Sequence, residues 1–289
     1  NDGTIINDGT IINDGTIIND GTINNTSYIE NTGLIENNGN INNFDTIANY
    51  GDITNHHTIE NKGTFTNDGY VDNYNTINNF SDIINDGSIY NSGTIENYAS
   101  IINNDLLENT GIIDNSGIID NYGNIFNYNS IINNDDGIIN NNGIIYNDGT
   151  LNNDGVINND GTLNNDGTIA NGNIINNFGT IINNGEINNY NTLNNDGTID
   201  NTIDGTINND GTTNNDGTLN NNIDGIINNE GTIDNFGSII INNIINNDGI
   251  INNNGGTIAN GNIINNFGTI INNGDIVNDG DIVNDGTIN

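Results

Sequence analysis

A large apolar residue recurs every six positions along this chain, and polar residues fill most of the spaces between. The period runs without a break from Ile5 to Ile131, resumes at Ile139 and ends on Ile288. Only Thr213 places a polar side chain on an apolar position. Short insertions shift the period near positions 135–136, 202–203, 222–223 and 255–256. A disordered chain has no reason to keep a period, so the pattern predicts regular structure throughout.

The six-residue unit has the form Ile-x-Asn-x-Gly-x, with Thr favoured in the last place. Alternate residues of a strand point to opposite faces, so Ile, Asn and Gly share one face, and the variable, charged residues share the other. A helix would repeat its apolar residues every three or four positions. The pattern therefore predicts short β-strands, for which Ile is among the best formers.

A unit of this length holds a strand of three or four residues and must then turn, which predicts an all-β, parallel β-solenoid. Asn and Gly tolerate the left-handed backbone of a tight corner, so we expect both at the corners. An Asn amide can also bond to an Asn one coil further along. The first predicted core positions are Ile5, Ile11, Ile17, Ile23, Ile29 and Ile35, and the first corner asparagines are Asn7, Asn13, Asn19 and Asn25.

Units that lack Gly indicate how many units make one coil. Before the first insertion, most of them fall into two phases of an 18-residue cycle, for example Ser27, Asp45, Ser81 and Ala99. Three units per coil and a triangular cross-section follow, in a single continuous solenoid over residues 1–289. A string repeated at 167–185 and 256–274 is offset by fourteen units, which is not a multiple of three. Either the insertions reset the phase or the three faces are interchangeable.

The composition excludes several classes of function. The formal net charge is -37, with one Lys and no Arg, so the chain lacks the cations that bind nucleic acid or anionic membranes. No apolar run is long enough to span a bilayer. Cysteine is absent, which removes disulfides and thiolate metal sites. The period is already running at Asn1, so we expect a mature product or a window of a longer array.

The six-residue spacing resembles the hexapeptide repeat of left-handed parallel β-helices, which carry an aliphatic residue every six positions and three units per turn. The resemblance covers the whole chain and implies a left-handed coil. Members that are acyltransferases use a catalytic His and basic residues, whereas this chain has only the pair His56–His57 and the single Lys62. We therefore expect no enzymatic activity. The Asn-rich composition of the repeats is similar to that of repeat regions in extracellular adhesins and fibres.

Aspartates that precede Gly form the first candidate site. In an 18-residue coil some of them stack in register, and exposed carboxylates in a row could recruit Ca²⁺, whose ligands are hard oxygens. The alternative is a solvated acidic surface that keeps the protein soluble. No other cofactor is expected, and no metal site is certain. The candidate residues are Asp2, Asp8, Asp14, Asp20, Asp148, Asp154, Asp160 and Asp166.

In eleven units an aromatic residue occupies the position that Asp takes in the others. Its ring is expected either to cover the corner or to form a surface that stacks on sugars. These residues are Phe44, Tyr50, Tyr74, Phe80, Tyr98, Tyr122, Tyr128, Phe178, Tyr190, Phe236 and Phe267. Outward Thr rows allow a weaker ice-binding hypothesis. Outward isoleucines predict lateral contact between rods, with Ile112, Ile118, Ile138 and Ile144 as the candidates.

These observations favour a structural protein: an extracellular or cell-surface β-solenoid fibre that grows by coil stacking, including end-to-end stacking. The expected partner is the protein itself, with neither nucleic acid nor membrane insertion. The alternative is an adhesin shaft or binding module that presents glycan or Ca²⁺ ladders.

Overall fold

A computed structural model describes residues 1–202, 204–222 and 224–289. Two of the predicted insertions reach Ile203 and Ile223, which lie outside the described residues. The chain divides into two compact units, Asn1–Ile144 and Ile145–Asn289. Each unit is described by itself below.

The first unit consists of short strands joined by tight corners. Its last strand, β24, begins at Ile144, which is the last residue of the unit. The strands are β1 (Thr4–Asn7), β2 (Ile11–Asn13), β3 (Thr16–Asn19), β4 (Thr22–Asn25), β5 (Ile29–Asn31), β6 (Leu34–Asn37), β7 (Asn40–Asn43), β8 (Ile47–Asn49), β9 (Asp52–Asn55), β10 (Thr58–Asn61), β11 (Phe65–Asn67), β12 (Tyr70–Asn73), β13 (Thr76–Asn79), β14 (Asp82–Asn85), β15 (Ser88–Asn91), β16 (Thr94–Asn97), β17 (Ser100–Asn103), β18 (Leu106–Asn109), β19 (Ile112–Asn115), β20 (Ile118–Asn121), β21 (Asn124–Asn127), β22 (Ser130–Asn133), β23 (Ile138–Asn141) and β24 (Ile144–Asn147).

The second unit repeats this construction. Its strands are β25 (Thr150–Asn153), β26 (Val156–Asn159), β27 (Thr162–Asn165), β28 (Thr168–Asn171), β29 (Ile174–Asn177), β30 (Thr180–Asn183), β31 (Glu186–Asn189), β32 (Thr192–Asn195), β33 (Thr198–Asn201), β34 (Thr206–Asn209), β35 (Thr212–Asn215), β36 (Thr218–Asn221), β37 (Ile226–Asn229), β38 (Thr232–Asn235), β39 (Ser238–Ile241), β40 (Ile244–Asn247), β41 (Ile250–Asn253), β42 (Thr257–Asn260), β43 (Ile263–Asn266), β44 (Thr269–Asn272), β45 (Asp275–Asn278), β46 (Asp281–Asn284) and β47 (Thr287–Ile288).

Every third strand pairs in parallel, so each unit is a coil with three sheets. In the first unit, sheet A runs β1-β4-β7-β10-β13-β16-β19-β22, sheet B runs β2-β5-β8-β11-β14-β17-β20-β23, and sheet C runs β3-β6-β9-β12-β15-β18-β21-β24. In the second, sheet D runs β25-β28-β31-β34-β37-β40-β43-β46, sheet E runs β26-β29-β32-β35-β38-β41-β44-β47, and sheet F runs β27-β30-β33-β36-β39-β42-β45. The register Ile59↔Ile77 gives a coil of 18 residues. The predicted parallel β-solenoid is confirmed.

The core of each unit is a stack of apolar side chains from all three sheets. Ile23, Ile29 and Ile35 are at most 2 % exposed, whereas Ile5, Ile11 and Ile17 are half-buried because they lie in the first coil. The exceptional core residue Thr213 is also buried, and its hydroxyl donates to Asn209 Oδ1 at 3.0 Å. Full burial of an Ile contributes about 1.5–3 kcal/mol, so this stack supplies the main driving force for folding.

A second buried stack consists of the asparagine that ends almost every strand. Asn7, Asn13, Asn19 and Asn25 each donate to the Asn Oδ1 one coil later, at 2.7–2.8 Å. The amide also closes the corner beside it: Asn91 Nδ2 donates to the carbonyl oxygens of Gly93 at 3.2 Å and Ile112 at 3.0 Å. The predicted Asn ladder is confirmed, and Asn serves it because one short side chain carries both a donor and an acceptor.

The predicted left-handed backbone at the corners is wrong for the regular units. Among the described residues, φ is positive only at Asp204, Asp224 and Gly255, which all belong to insertions. Regular corners use Gly because consecutive coils approach closely there. The backbone N–H of Thr32 and that of Gly33 both donate to Asn13 O, at 2.9 and 3.0 Å. Gly is therefore selected for its missing Cβ rather than for its φ range.

Among the described residues, the insertions leave the pairing of the strands intact. Gly137 N donates to Asn134 O at 2.7 Å, and Gly205 N donates to Thr202 O at 3.0 Å. The coil that contains the insertion is longer, so that Ile118 pairs with Ile138, 20 residues later. The repeated string places β28 in sheet D and β42 in sheet F with the same burial pattern. The faces are therefore locally interchangeable.

Candidate functional site

The outward side chains form the accessible surface of both units. In most strands the first and third residues point outward and the second and fourth point inward. Equivalent residues of neighbouring coils are about 4.8 Å apart, so outward side chains also form ladders. None of the described residues forms an apolar helix long enough to cross a membrane.

The candidate aspartates of the first unit mostly meet neutral partners one coil later. Only Asp2 has another candidate, Asp20, at the equivalent position of the next coil. The hydrogen-bonded pairs are Thr26 Oγ1 to Asp8 at 2.7 Å, Thr32 Oγ1 to Asp14 at 2.7 Å, and Asn38 Nδ2 to Asp20 at 2.9 Å. These bonds along the coil axis separate the negative charges.

The candidate aspartates of the second unit are interrupted in the same way. Asp148 is followed by Asp166, which accepts a bond from Asn184 Nδ2 at 2.7 Å. Asp154 and Asp160 are followed by Gly172 and Phe178. No three His, Cys, Asp or Glu side chains cluster for a metal ion within the described ranges. Calcium binding by these residues stays a prediction.

The eleven corner aromatics are all exposed, between 47 % and 58 % of each residue. A ring in this slot therefore does not bury itself over the corner. Some rings cover each other instead: Phe80 and Tyr98 stack with centroids 5.0 Å apart. His56 stacks on Tyr74, also at 5.0 Å. About half of each of these residues remains exposed to solvent.

The single lysine is held in place by its neighbours. Lys62 Nζ forms an ion pair with Glu60 and lies 4.9 Å from the centre of the Phe44 ring. Both contacts connect neighbouring side chains of the first unit's surface.

The four candidate lateral-contact isoleucines are not one strip. Ile118 and Ile138 are neighbours in sheet B, whereas Ile112 lies in sheet A and Ile144 begins a strand of sheet C. A different row of neighbouring isoleucines lies on sheet D, where Ile226, Ile244 and Ile263 stand in register.

Sheet D also carries a surface groove. The groove has a volume of about 480 Å³. Five consecutive strands, β31, β34, β37, β40 and β43, form its floor and rim. Its lining side chains are Asn188, Tyr190, Asn208, Asp210, Asn228, Asn229, Glu230, Asn246, Asp248 and Phe267.

The floor of the groove is an outward asparagine ladder. Each Nδ2 donates at 2.9 Å to the Oδ1 one coil earlier, from Asn265 to Asn246, Asn228, Asn208 and Asn188. An amide has two N–H groups and two acceptor lone pairs. The ladder bonds of Asn228 and Asn246 use one of each, so each amide can also bond a ligand.

The rim of the groove lies in the corner slots of the same coils. Tyr190 and Phe267 stand at its two ends, 57 % and 55 % exposed. Asp210, Glu230 and Asp248 are the exposed residues between them. Within the part of the chain that the structure describes, neither terminal ring stacks on another aromatic ring.

The sequence patterns identified both aromatic residues but missed this grouping. The steps from Tyr190 to Asp210, Glu230, Asp248 and Phe267 are 20, 20, 18 and 19 residues, because the insertions lengthen individual coils. A fixed 18-residue period misaligns these positions. Counting apolar positions in threes across the insertions would have brought them together.

Asp72 is a partly buried carboxyl group on sheet C. Burial, and secondarily the negative charge of Asp52, raise the pKa of Asp72 above its ordinary value of 3.8. The folded chain therefore holds this proton more tightly than the unfolded chain does. The contribution to stability is greatest at low pH and falls as the pH rises from 3.8 through the raised pKa.

We expect Asp72→Asn to have a higher Tm than wild type above this range and a similar Tm at pH 3. Melting curves of both proteins between pH 3 and pH 7 measure the difference. Asp68→Asn, which removes one exposed charge in the same coil, controls for the loss of net charge. A Tm difference between Asp72→Asn and wild type that does not change with pH would contradict the assignment.

The fold and surface define this protein as a parallel β-solenoid with three six-residue units per coil and inward asparagine ladders. In comparisons with known proteins, the chain matched no family model and no curated protein. The class therefore rests on its geometry, and this geometry is compatible with a structural or adhesin-like role.

Proposed function

We propose that this chain is a structural protein of the cell surface or extracellular space, and that it forms fibres by stacking of coils. The observation that supports the proposal is the repetition of one register, coil after coil, within each unit. Each added coil contributes the same Ile burial and the same Asn amide bonds. Repeat proteins of this kind interact only between neighbouring repeats, so length adds no topological cost.

The last described coil shows what one further coil would cover. Core positions Ile276 and Ile282 are only half-buried in the last two strands of full length. An open parallel edge of this kind pairs readily with another strand. The next coil can come from further chain or from a second copy. The scarcity of cationic residues also suits an exposed protein, because one Lys and no Arg leave trypsin almost no cleavage site.

We expect the purified chain to form uniform filaments that lengthen with protein concentration in electron micrographs. Ile282→Lys places a charge on the inward face of a terminal coil and should shorten the filaments strongly. Val283→Lys, on the outward face of the same strand, is the matched control and should leave them long. Monodisperse particles of constant length at all concentrations would contradict the proposal.

A further inference from the structure

The groove on sheet D combines three surface types in one ordered array. A row of amides lies beside a row of carboxylates, and an exposed aromatic ring closes each end. Four coil steps of about 4.8 Å separate the two rings, so the groove is about 19 Å long. It is long enough for an extended ligand that touches several coils at once.

Two successive coils each present, beside a carboxylate, an amide N–H group that the ladder does not use. The pairs are Asn228 with Glu230 and Asn246 with Asp248. Asp210 adds a third carboxylate one coil earlier, where Asn208 Nδ2 already donates to Asn188 and Glu186. In each coil the carboxylate follows the amide by two residues, just past the end of the strand. The amide supplies an N–H group, and the carboxylate accepts only. Neighbouring hydroxyl groups, which both donate and accept, match such pairs.

Charge restricts the ligand further. The groove holds three carboxylates, and the second unit contains neither Lys nor Arg. An anionic polymer would be repelled. A purely apolar ligand would leave the amides and carboxylates desolvated without partners, which is costly.

A peptide in the extended conformation is also disfavoured. Peptides that add to a sheet use the open backbone groups of an edge strand. The groove lies on the face of sheet D, over strands β31 to β43, which all pair on both sides. Its floor therefore consists of side chains, and the flat rings at its ends fit the apolar face of a sugar ring.

From these observations we infer that this groove is a binding site for a linear, neutral oligosaccharide. The rings of Tyr190 and Phe267 stack on sugars at the two ends, and the amide–carboxylate pairs bind hydroxyl groups between them. The inference goes beyond the structural function, because filament growth depends on the terminal coils and not on this face.

Isothermal titration calorimetry with the full chain tests the site. The probes are three neutral hexasaccharides (cellohexaose, laminarihexaose and mannohexaose), with hexagalacturonate and hexalysine as charged probes. We expect at least one neutral hexasaccharide to bind. Tyr190→Ala and Phe267→Ala should each weaken it about tenfold, which corresponds to about 1.4 kcal/mol. Tyr122→Ala removes an equally exposed ring of the first unit and should leave the affinity unchanged.

Several outcomes would overturn the inference. They are no binding of any neutral hexasaccharide, binding that Tyr190→Ala and Phe267→Ala leave intact, and binding of a charged probe alone. The replaced rings are exposed, so circular dichroism should show that all variants fold. Filament length, measured on the same samples, reports separately on the structural function.

Discussion

Asn79→Ala should destabilise the protein by about 2–4 kcal/mol, because it leaves buried hydrogen-bonding groups without partners. Asn79 is fully buried in the middle of an Asn ladder. Its Oδ1 accepts from Asn61 Nδ2 at 2.8 Å, and its Nδ2 donates to Asn97 Oδ1 at 2.8 Å and Ser100 O at 2.9 Å. Alanine removes all three bonds and leaves Asn61 Nδ2 and Asn97 Oδ1 without their ladder partner.

The preceding residue offers a matched control in the same strand. Asn78 points outward, and its Oδ1 is buried without a hydrogen-bond partner. Asn78→Ala should therefore change the free energy of unfolding by less than about 0.5 kcal/mol. Urea denaturation followed by circular dichroism measures both variants against wild type. Equal losses of stability for Asn78→Ala and Asn79→Ala would show that the buried ladder is not a special source of stability.

Gly69→Ala should cost about 3 kcal/mol, because the corner has no room for a methyl group. A Cβ at this position would lie 2.8 Å from the carbonyl carbon of Tyr50 and even closer to Gly51 O. Both atoms belong to the backbone of the preceding coil. The Gly69 N–H also donates to Asn49 O at 3.1 Å, so a shift that relieves the clash would break this bond.

Gly172→Ala separates this steric effect from a general intolerance of alanine. The nearest obstacle to a Cβ at Gly172 is the Asp154 carboxylate, which is the exposed end of a side chain and can rotate away. We expect Gly172→Ala to change the urea midpoint much less than Gly69→Ala. If both glycines tolerate alanine equally, close coil packing does not explain the choice of Gly at the corners.

The two proposed functions use different parts of the molecule. Inward residues such as Ile59 and Asn61 are needed for stacking, and they repeat with little variation. Outward residues such as Tyr190 and Glu230 differ from coil to coil without disturbing that stack. A binding groove can therefore be added to one face of a structural rod at little cost to its stability. This division explains how outward residues can vary from coil to coil in a chain whose inward residues repeat so closely.

The sequence by itself determined the strands, the parallel coil of three units and the two inward ladders. Each follows from the pattern of a single six-residue unit. The apolar residue of every unit, such as Ile59, must face inward for the core to be continuous. The tertiary structure decided how the corners are built. Close contact between coils, as at Gly69 over Gly51, leaves no room for a Cβ there, whereas among the described residues a positive φ occurs only at Asp204, Asp224 and Gly255, in the insertions.

The tertiary structure also decided which outward residues are neighbours. Ile112 and Ile118 are close in sequence but lie on different sheets, whereas Tyr190 and Phe267 line one groove. Outward positions have no periodic requirement of their own, and each insertion changes the distance along the chain between stacked residues. The repeat therefore specified the interior, and only the register of successive coils, set by their backbone hydrogen bonds, determined the surface.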